Sequence, residues 1–169
     1  MLGFLFRGLT AAPARGAALF DAITAKAREP HWYVEGAVPD TLDGRFAVLA
    51  TLAALAMVRL EQLGEAGIAQ SVALTERFIE VMEAEHRELG LGDPTLGKTV
   101  RKLVGSLGRR TELWRAALEA GGAWSAAARQ SLYKADPHSA ALDHALAALK
   151  AFWARIEHAD VAALADGRI

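Results

Sequence analysis

Residues 42–63 read LDGRFAVLATLAALAMVRLEQL, and this apolar stretch determines how the chain can fold. Its apolar residues form two sets at helical spacing, which are Leu42, Phe46, Leu49, Ala53, Ala56, Leu60 and Leu63 on one side and Val48, Leu52, Leu55 and Val58 on the other. A helix that is apolar nearly all round is covered by neighbouring helices. The uncharged part, residues 46–58, is shorter than the roughly 20 residues that span a bilayer. The stretch therefore predicts a buried central helix that ends at Gly64.

The composition favours a single all-α domain. The chain has 169 residues and five prolines, and roughly a fifth of it is alanine, which loses no side-chain entropy in a helix. Cysteine is absent, which excludes a disulfide framework, a thiolate zinc site, an iron–sulfur cluster and a cysteine nucleophile. The formal charge of −1 provides no overall attraction to nucleic acid, so we expect no DNA partner.

Glycine and proline signals divide the rest of the chain into further helices. The predicted segments are a helix over residues 17–28, a third over 66–89, a fourth from Asp93-Pro94 to Gly121-Gly122, a short fifth over 125–133, and a last one that starts at Asp136-Pro137 and reaches Leu164. The side chains of residues 40–43 supply acceptors that can cap the central helix. We therefore expect residues 17–169 to form one compact, bundle-like domain of about six helices.

The N-terminal segment, residues 1–16, has a composition of its own. A short apolar run comes before the first arginine, whereas a secretory signal places its charge first and has a longer apolar run. Two interpretations stay open: an amphipathic segment that touches a membrane surface, or a terminus that is frayed or docks on its own core. The cytoplasm is the expected compartment, with peripheral attachment to the inner membrane as the alternative.

No arrangement of residues typical of catalysis is evident. Glu83 and His86 have the Glu-x-x-His spacing that places both side chains on one helix face, but di-iron bundles need that motif twice. The alternative is a surface glutamate near a partly buried histidine. We therefore expect a binding protein with no catalytic residues, metal or cofactor, and keep a metal-dependent bundle enzyme as a less favoured hypothesis.

The predicted fourth helix carries a run of positive charge. Its cations are Lys98, Arg101, Lys102, Arg109 and Arg110, and no acidic residue lies between Asp93 and Glu112. Such a face can bind anionic lipid head groups or RNA phosphates. The alternative is a solvated face that pairs with the acidic third helix. An RNA- or ribosome-binding helical module is accordingly a second functional hypothesis.

Two sequence blocks carry a resemblance to a known family. The first is Trp32-Tyr33 followed by Gly36-Ala37-Val38-Pro39-Asp40-Thr41-Leu42-Asp43-Gly44-Arg45-Phe46, and the second is Gly90-Leu91-Gly92-Asp93-Pro94-Thr95-Leu96-Gly97-Lys98 followed by Arg101-Lys102 and Gly108-Arg109. In this order they resemble the signatures of the ubiquinol–cytochrome c chaperone family, and the alanine content favours a bacterial member. The resemblance covers residues 20 to 120.

The resemblance implies an assembly factor of the cytochrome bc1 complex that holds newly made cytochrome b. In mitochondrial members it also implies a small partner protein and the ribosome. A holder of a membrane protein needs exposed apolar surface, and aromatic side chains supply large contact area. The candidate client-binding residues are Trp32, Tyr33, Val38 and Phe46. The alternative for Trp32 and Tyr33 is that they simply cover the central helix.

Overall fold

The computed structural model describes residues 15–119 and 121–169, and over these residues it contains helices and no strand. The elements are α1 (Ala17–Ala27), a 3₁₀ turn (Pro30–Trp32), α2 (Leu42–Glu61), α3 (Gly64–Glu88), α4 (Asp93–Glu119), α5 (Trp124–Leu132), α6 (Ser139–Ile156) and α7 (Val161–Ala165). The predicted all-α class is confirmed. The apolar run of the N-terminal segment, with Leu2, Phe4, Leu5, Phe6 and Leu9, lies outside the described residues.

Helix α2 occupies the centre of the domain, as its sequence predicts. It packs against α1, α3, α4, α5 and α6. Leu52, Leu55 and Leu60 are completely buried, and each such burial contributes about 1.5–3 kcal/mol. Leu42 is the exception in the predicted apolar set, since it lies in the first turn and is 63% exposed. Within the described part of the chain, no helix combines the length and the hydropathy that a bilayer span requires.

The start of α2 is fixed by a side-chain cap and by a close approach of the backbone. The hydroxyl oxygen of Thr41 accepts a hydrogen bond from the Gly44 N–H at 3.2 Å, which confirms the predicted cap. The Cα of Gly44 lies so close to the Pro39 carbonyl that an added Cβ would overlap with its oxygen. Only glycine fits here without moving the preceding loop.

Glycines follow the ends of α2 and α3 as the sequence predicts, but Gly64 is also the first residue of α3, which starts two residues before the predicted position 66. Gly64 and Gly90 have φ values of 72° and 86°, in the left-handed region that other residues rarely adopt. The start of α4 differs from the prediction by one residue, because the Gly92 carbonyl accepts from Leu96 N–H and the helix includes Asp93.

The C-terminal region differs more from the prediction. The last helix does not start at Asp136-Pro137: α6 begins at Ser139, after His138, whose Nδ1 accepts a hydrogen bond from Ala141 N–H at 3.2 Å. Nor does one helix reach Leu164. The Arg59 guanidinium donates to the carbonyls of Ile156 at 3.1 Å and Ala159 at 2.9 Å, which satisfies acceptors released where α6 ends.

The short helix α7 closes the domain against its first helix. Asp160 caps α7 by accepting from Ala163 N–H at 2.7 Å, and Leu164 is fully buried. After α7, Gly167 has φ 72° and packs on the backbone of Ala18 in α1, where an added Cβ would lie 2.5 Å from the carbonyl oxygen. The first and last helices, α1 and α7, therefore pack against each other.

We expect Gly44→Ala to lower the free energy of unfolding by about 2–3 kcal/mol, because the added methyl group overlaps with the Pro39 carbonyl. Gly108→Ala is the matched control. Gly108 lies within α4 with nothing within 4 Å of an added Cβ, so alanine should raise stability by about 0.5–1 kcal/mol. Urea unfolding followed by circular dichroism measures both, and equal effects of the two substitutions would contradict the close approach.

Candidate interaction surfaces

The connector between the 3₁₀ turn and α2, residues 33–41, is held by hydrogen bonds to the 3₁₀ turn and to the end of α5. Gly36 N–H donates to the His31 carbonyl at 2.9 Å, and Val38 N–H donates to the Trp32 carbonyl at 3.0 Å. From α5, the Tyr133 hydroxyl donates to the Gly36 carbonyl at 2.7 Å. These bonds give the connector a defined shape although it has no regular secondary structure.

The 3₁₀ turn that precedes the connector is anchored through a histidine pair. His31 Nδ1 lies 3.0 Å from His144 Nε2 of α6, and His31 Nε2 lies 3.1 Å from a carboxylate oxygen of Glu29. A hydrogen bond with Lys26 is the largest of the effects that lower the pKa of the Glu29 carboxyl, and the contact with His31 lowers it further. The polar chain Glu29–His31–His144 therefore joins the 3₁₀ turn that precedes the connector to α6.

Two of the four predicted client-binding residues are core residues. Trp32 and Val38 are buried, and the Trp32 indole N–H donates to the Lys26 carbonyl at 2.9 Å. Their large apolar surfaces cover α1 and α2, so they are not available on the exterior of the folded chain. Burial of both residues differs from the exposed apolar surface expected of client-binding residues, so their contact with a client is not part of the proposal below.

The other two predicted client-binding residues are half-buried and have partners. The Tyr33 hydroxyl donates to the Ala27 carbonyl at 2.6 Å, and burial raises its pKa. The Phe46 ring lies 6.0 Å from the Phe78 ring, and the Arg110 guanidinium lies over it at 5.7 Å. Contact of Tyr33 and Phe46 with a client stays a prediction.

The exposed apolar residues near the connector were not identified from the sequence. Val34 is 72% exposed within it, and Leu42 follows it directly at the start of α2. Helical periodicity assigns Leu42 to the buried side of α2, and Val34 lies in a segment without periodicity. A useful signal would have been the position of Leu42 as the first residue of α2, directly after the Thr41 cap.

Four of the five predicted cations form an exposed face on α4, which we call the basic face: Lys98, Arg101, Lys102 and Arg109. Among residues 15–119 and 121–169, none of these four cations takes part in an ion pair. No ion pair within these ranges joins α3 to α4. The alternative of pairing with the acidic third helix therefore finds no support in the described residues.

Arg110 does not belong to the basic face. Its guanidinium points inward, donates to the Ser131 carbonyl of α5 from Nε at 3.2 Å and from Nη2 at 2.8 Å, and also binds Ser106. Burial lowers the pKa of this guanidinium, and the positive charge of Arg109 lowers it further. The physical reason is helical geometry, since Arg110 lies about 120° around the axis from Lys98, whereas the other cations lie within about 60° of it. Arg110 is a structural link between α4 and α5.

The pair proposed for metal chemistry does not extend into a larger cluster. His86 Nδ1 lies 2.8 Å from the Met82 carbonyl one turn earlier in α3, so this ring nitrogen is engaged by its own helix. Across the part of the chain that the structure describes, no three His, Asp or Glu side chains are grouped closely enough to hold a metal ion. Glu83 and His86 therefore have no further candidate ligand there.

Comparison with known proteins identifies a family whose model matches the chain and a similar solved structure. A family model described as ubiquinol-cytochrome C chaperone matches residues 35–169. The chain is similar to the crystal structure of the Cbp3 homolog from Brucella abortus, with 28% sequence identity and a TM-score of 0.74, over 100% of this chain and 95% of the other. No curated protein matches the chain significantly.

We expect Arg110→Met to lower the free energy of unfolding by about 1–3 kcal/mol, because it leaves the Ser131 carbonyl without its donors. Arg109→Met, the neighbouring exposed position, should change it by less than about 0.5 kcal/mol. Thermal unfolding of both variants is the measurement. A neutral Arg110→Met would show that the link between α4 and α5 does not depend on this side chain.

Proposed function

We propose, because the chain belongs to the ubiquinol–cytochrome c chaperone family, that it is an assembly chaperone of the cytochrome bc1 complex and that its client is newly made cytochrome b. The observation that carries this proposal is the family match over residues 35–169. The similarity to the Brucella abortus Cbp3 homolog over the whole chain supports the same role. Its mode of action is binding rather than bond-making.

The client contact that we propose is the apolar surface at the connector. A membrane protein exposes apolar segments before its partner subunits cover them, and a chaperone shields them with apolar surface of its own. Val34, within the connector, and Leu42, directly after it, are exposed large apolar residues. The half-buried Tyr33 precedes Val34 in sequence.

Rigidity of the connector favours this role. Ordering a loop on binding costs free energy, and a loop already held in one shape avoids that cost. The amides of Gly36 and Val38 donate to carbonyls of the 3₁₀ turn, and the Gly36 carbonyl accepts from the Tyr133 hydroxyl. Ala37 also has φ 48°, a left-handed conformation that a residue with a Cβ adopts only where its surroundings hold it.

We expect cytochrome b to crosslink to the tagged chain in solubilised membranes, and V34D/L42D to reduce its recovery at least tenfold, because each substitution places a charge in an apolar contact. I68D/L89D is the matched control, since Ile68 on α3 and Leu89, which directly follows α3, are also exposed apolar residues. Mass spectrometry of the crosslinked fraction identifies and quantifies the client.

Two results would contradict the proposal in different ways. Absence of cytochrome b from the crosslinked material of the unaltered chain, together with normal bc1 assembly in cells lacking the gene, would overturn the chaperone role. Equal recovery of cytochrome b by V34D/L42D and by the control would overturn the connector as the contact and leave the role itself intact.

A further inference from the structure

The basic face has a geometry suited to a flat array of negative charges. At about 100° per residue, Lys98, Lys102 and Arg109 fall within about 40° of one another around the axis of α4, and Arg101 lies about 60° to one side of Lys98. The 11-residue separation of Lys98 and Arg109 corresponds to about 16 Å along the helix. The four exposed cations therefore lie along one side of α4 over about three helical turns.

The charge of this face is not neutralised within the described residues, although most nearby surface cations are paired. Arg115 binds both Glu61 and Glu112, Arg129 binds Asp136, and Lys134 binds Asp43. Asp43 is near enough to Lys102 for that charge to lower its carboxyl pKa, but the hydrogen bond from Lys134 is the larger cause. The acid beside the basic face is thus already occupied.

Glycines of α4 leave room for the arginine side chains of the basic face. Gly97 lies one turn before Arg101, and Gly105 one turn before Arg109; in both cases the arginine Nη1 is the nearest atom to an added Cβ, at 4.0 Å and 3.5 Å. Each guanidinium can therefore lie along the helix surface over a position without a side chain. This arrangement spreads the charge along α4.

We infer that the basic face of α4 docks the chain on an anionic lipid bilayer through the phosphates of the head groups. A bilayer presents negative charges in one plane, so all four cations of a helix lying parallel to it can act together. Single-stranded RNA is bound with aromatic side chains on which bases stack, and the basic face carries none. The inference goes beyond the proposed function and does not depend on the identity of the client.

The test is co-sedimentation of the full chain with vesicles of phosphatidylcholine alone or with 30% phosphatidylglycerol, at about 0.05 and 0.5 M salt. We expect binding to the anionic vesicles only, with loss at high salt. K98Q/K102Q should lower the partition coefficient about 30-fold, or about fivefold for each cation. K150Q/R155Q, which removes two exposed cations of α6 with the same change in net charge, should stay within about twofold of the unaltered chain.

Several results would overturn the inference. Equal binding to neutral and anionic vesicles would remove the electrostatic basis, and an unchanged partition coefficient in K98Q/K102Q, with an unaltered circular dichroism spectrum, would exclude this face. Binding of the chain to a polyuridine RNA that K98Q/K102Q abolishes, without any binding to anionic vesicles, would assign the face to nucleic acid instead.

Discussion

The need to cover α2 on every side governs the architecture of this domain. Because both sides of the helix are apolar, one neighbour cannot remove it from water, and five helices from both halves of the chain surround it. Even Thr51, a polar residue within α2, is fully buried and satisfies its hydroxyl by donating to the Ala47 carbonyl at 2.7 Å. The other elements are therefore positioned by what they contribute to this shared centre.

The connector shows how the same requirement shapes a surface. Trp32 and Val38 are buried in the core, whereas Val34 and Ala37 between them are exposed. Gly36 is buried where an added Cβ would lie 2.6 Å from the Trp32 carbonyl oxygen. The glycines and apolar residues of the first signature block thus build the loop, while its exposed positions are those for which we propose contact with a client.

Sequence reasoning succeeds where structure is determined locally. Periodicity is sufficient for α2, and the glycines at the ends of α2 and α3 require a left-handed conformation that few other residues adopt. It is less successful where distant residues decide. The break between α6 and α7 depends on Arg59, about 100 residues earlier, and the burial of Trp32 depends on contacts across the domain. Arg110 is partly predictable. Its angular position on α4 indicates that it lies outside the basic face, whereas the sequence does not reveal that its acceptor is the Ser131 carbonyl of α5.

The contact between Gly167 and Ala18 joins the C-terminal end of the domain to α1. Helices from the beginning and the end of the described chain meet there, so neither behaves as an independent tail. Elements joined in this way open as one cooperative unit. A protease that cleaves in the turn before α7 would release Leu164 from the core and remove the contact between α7 and α1 at the same time. Cleavage at that turn should therefore also make α1 more accessible to the protease.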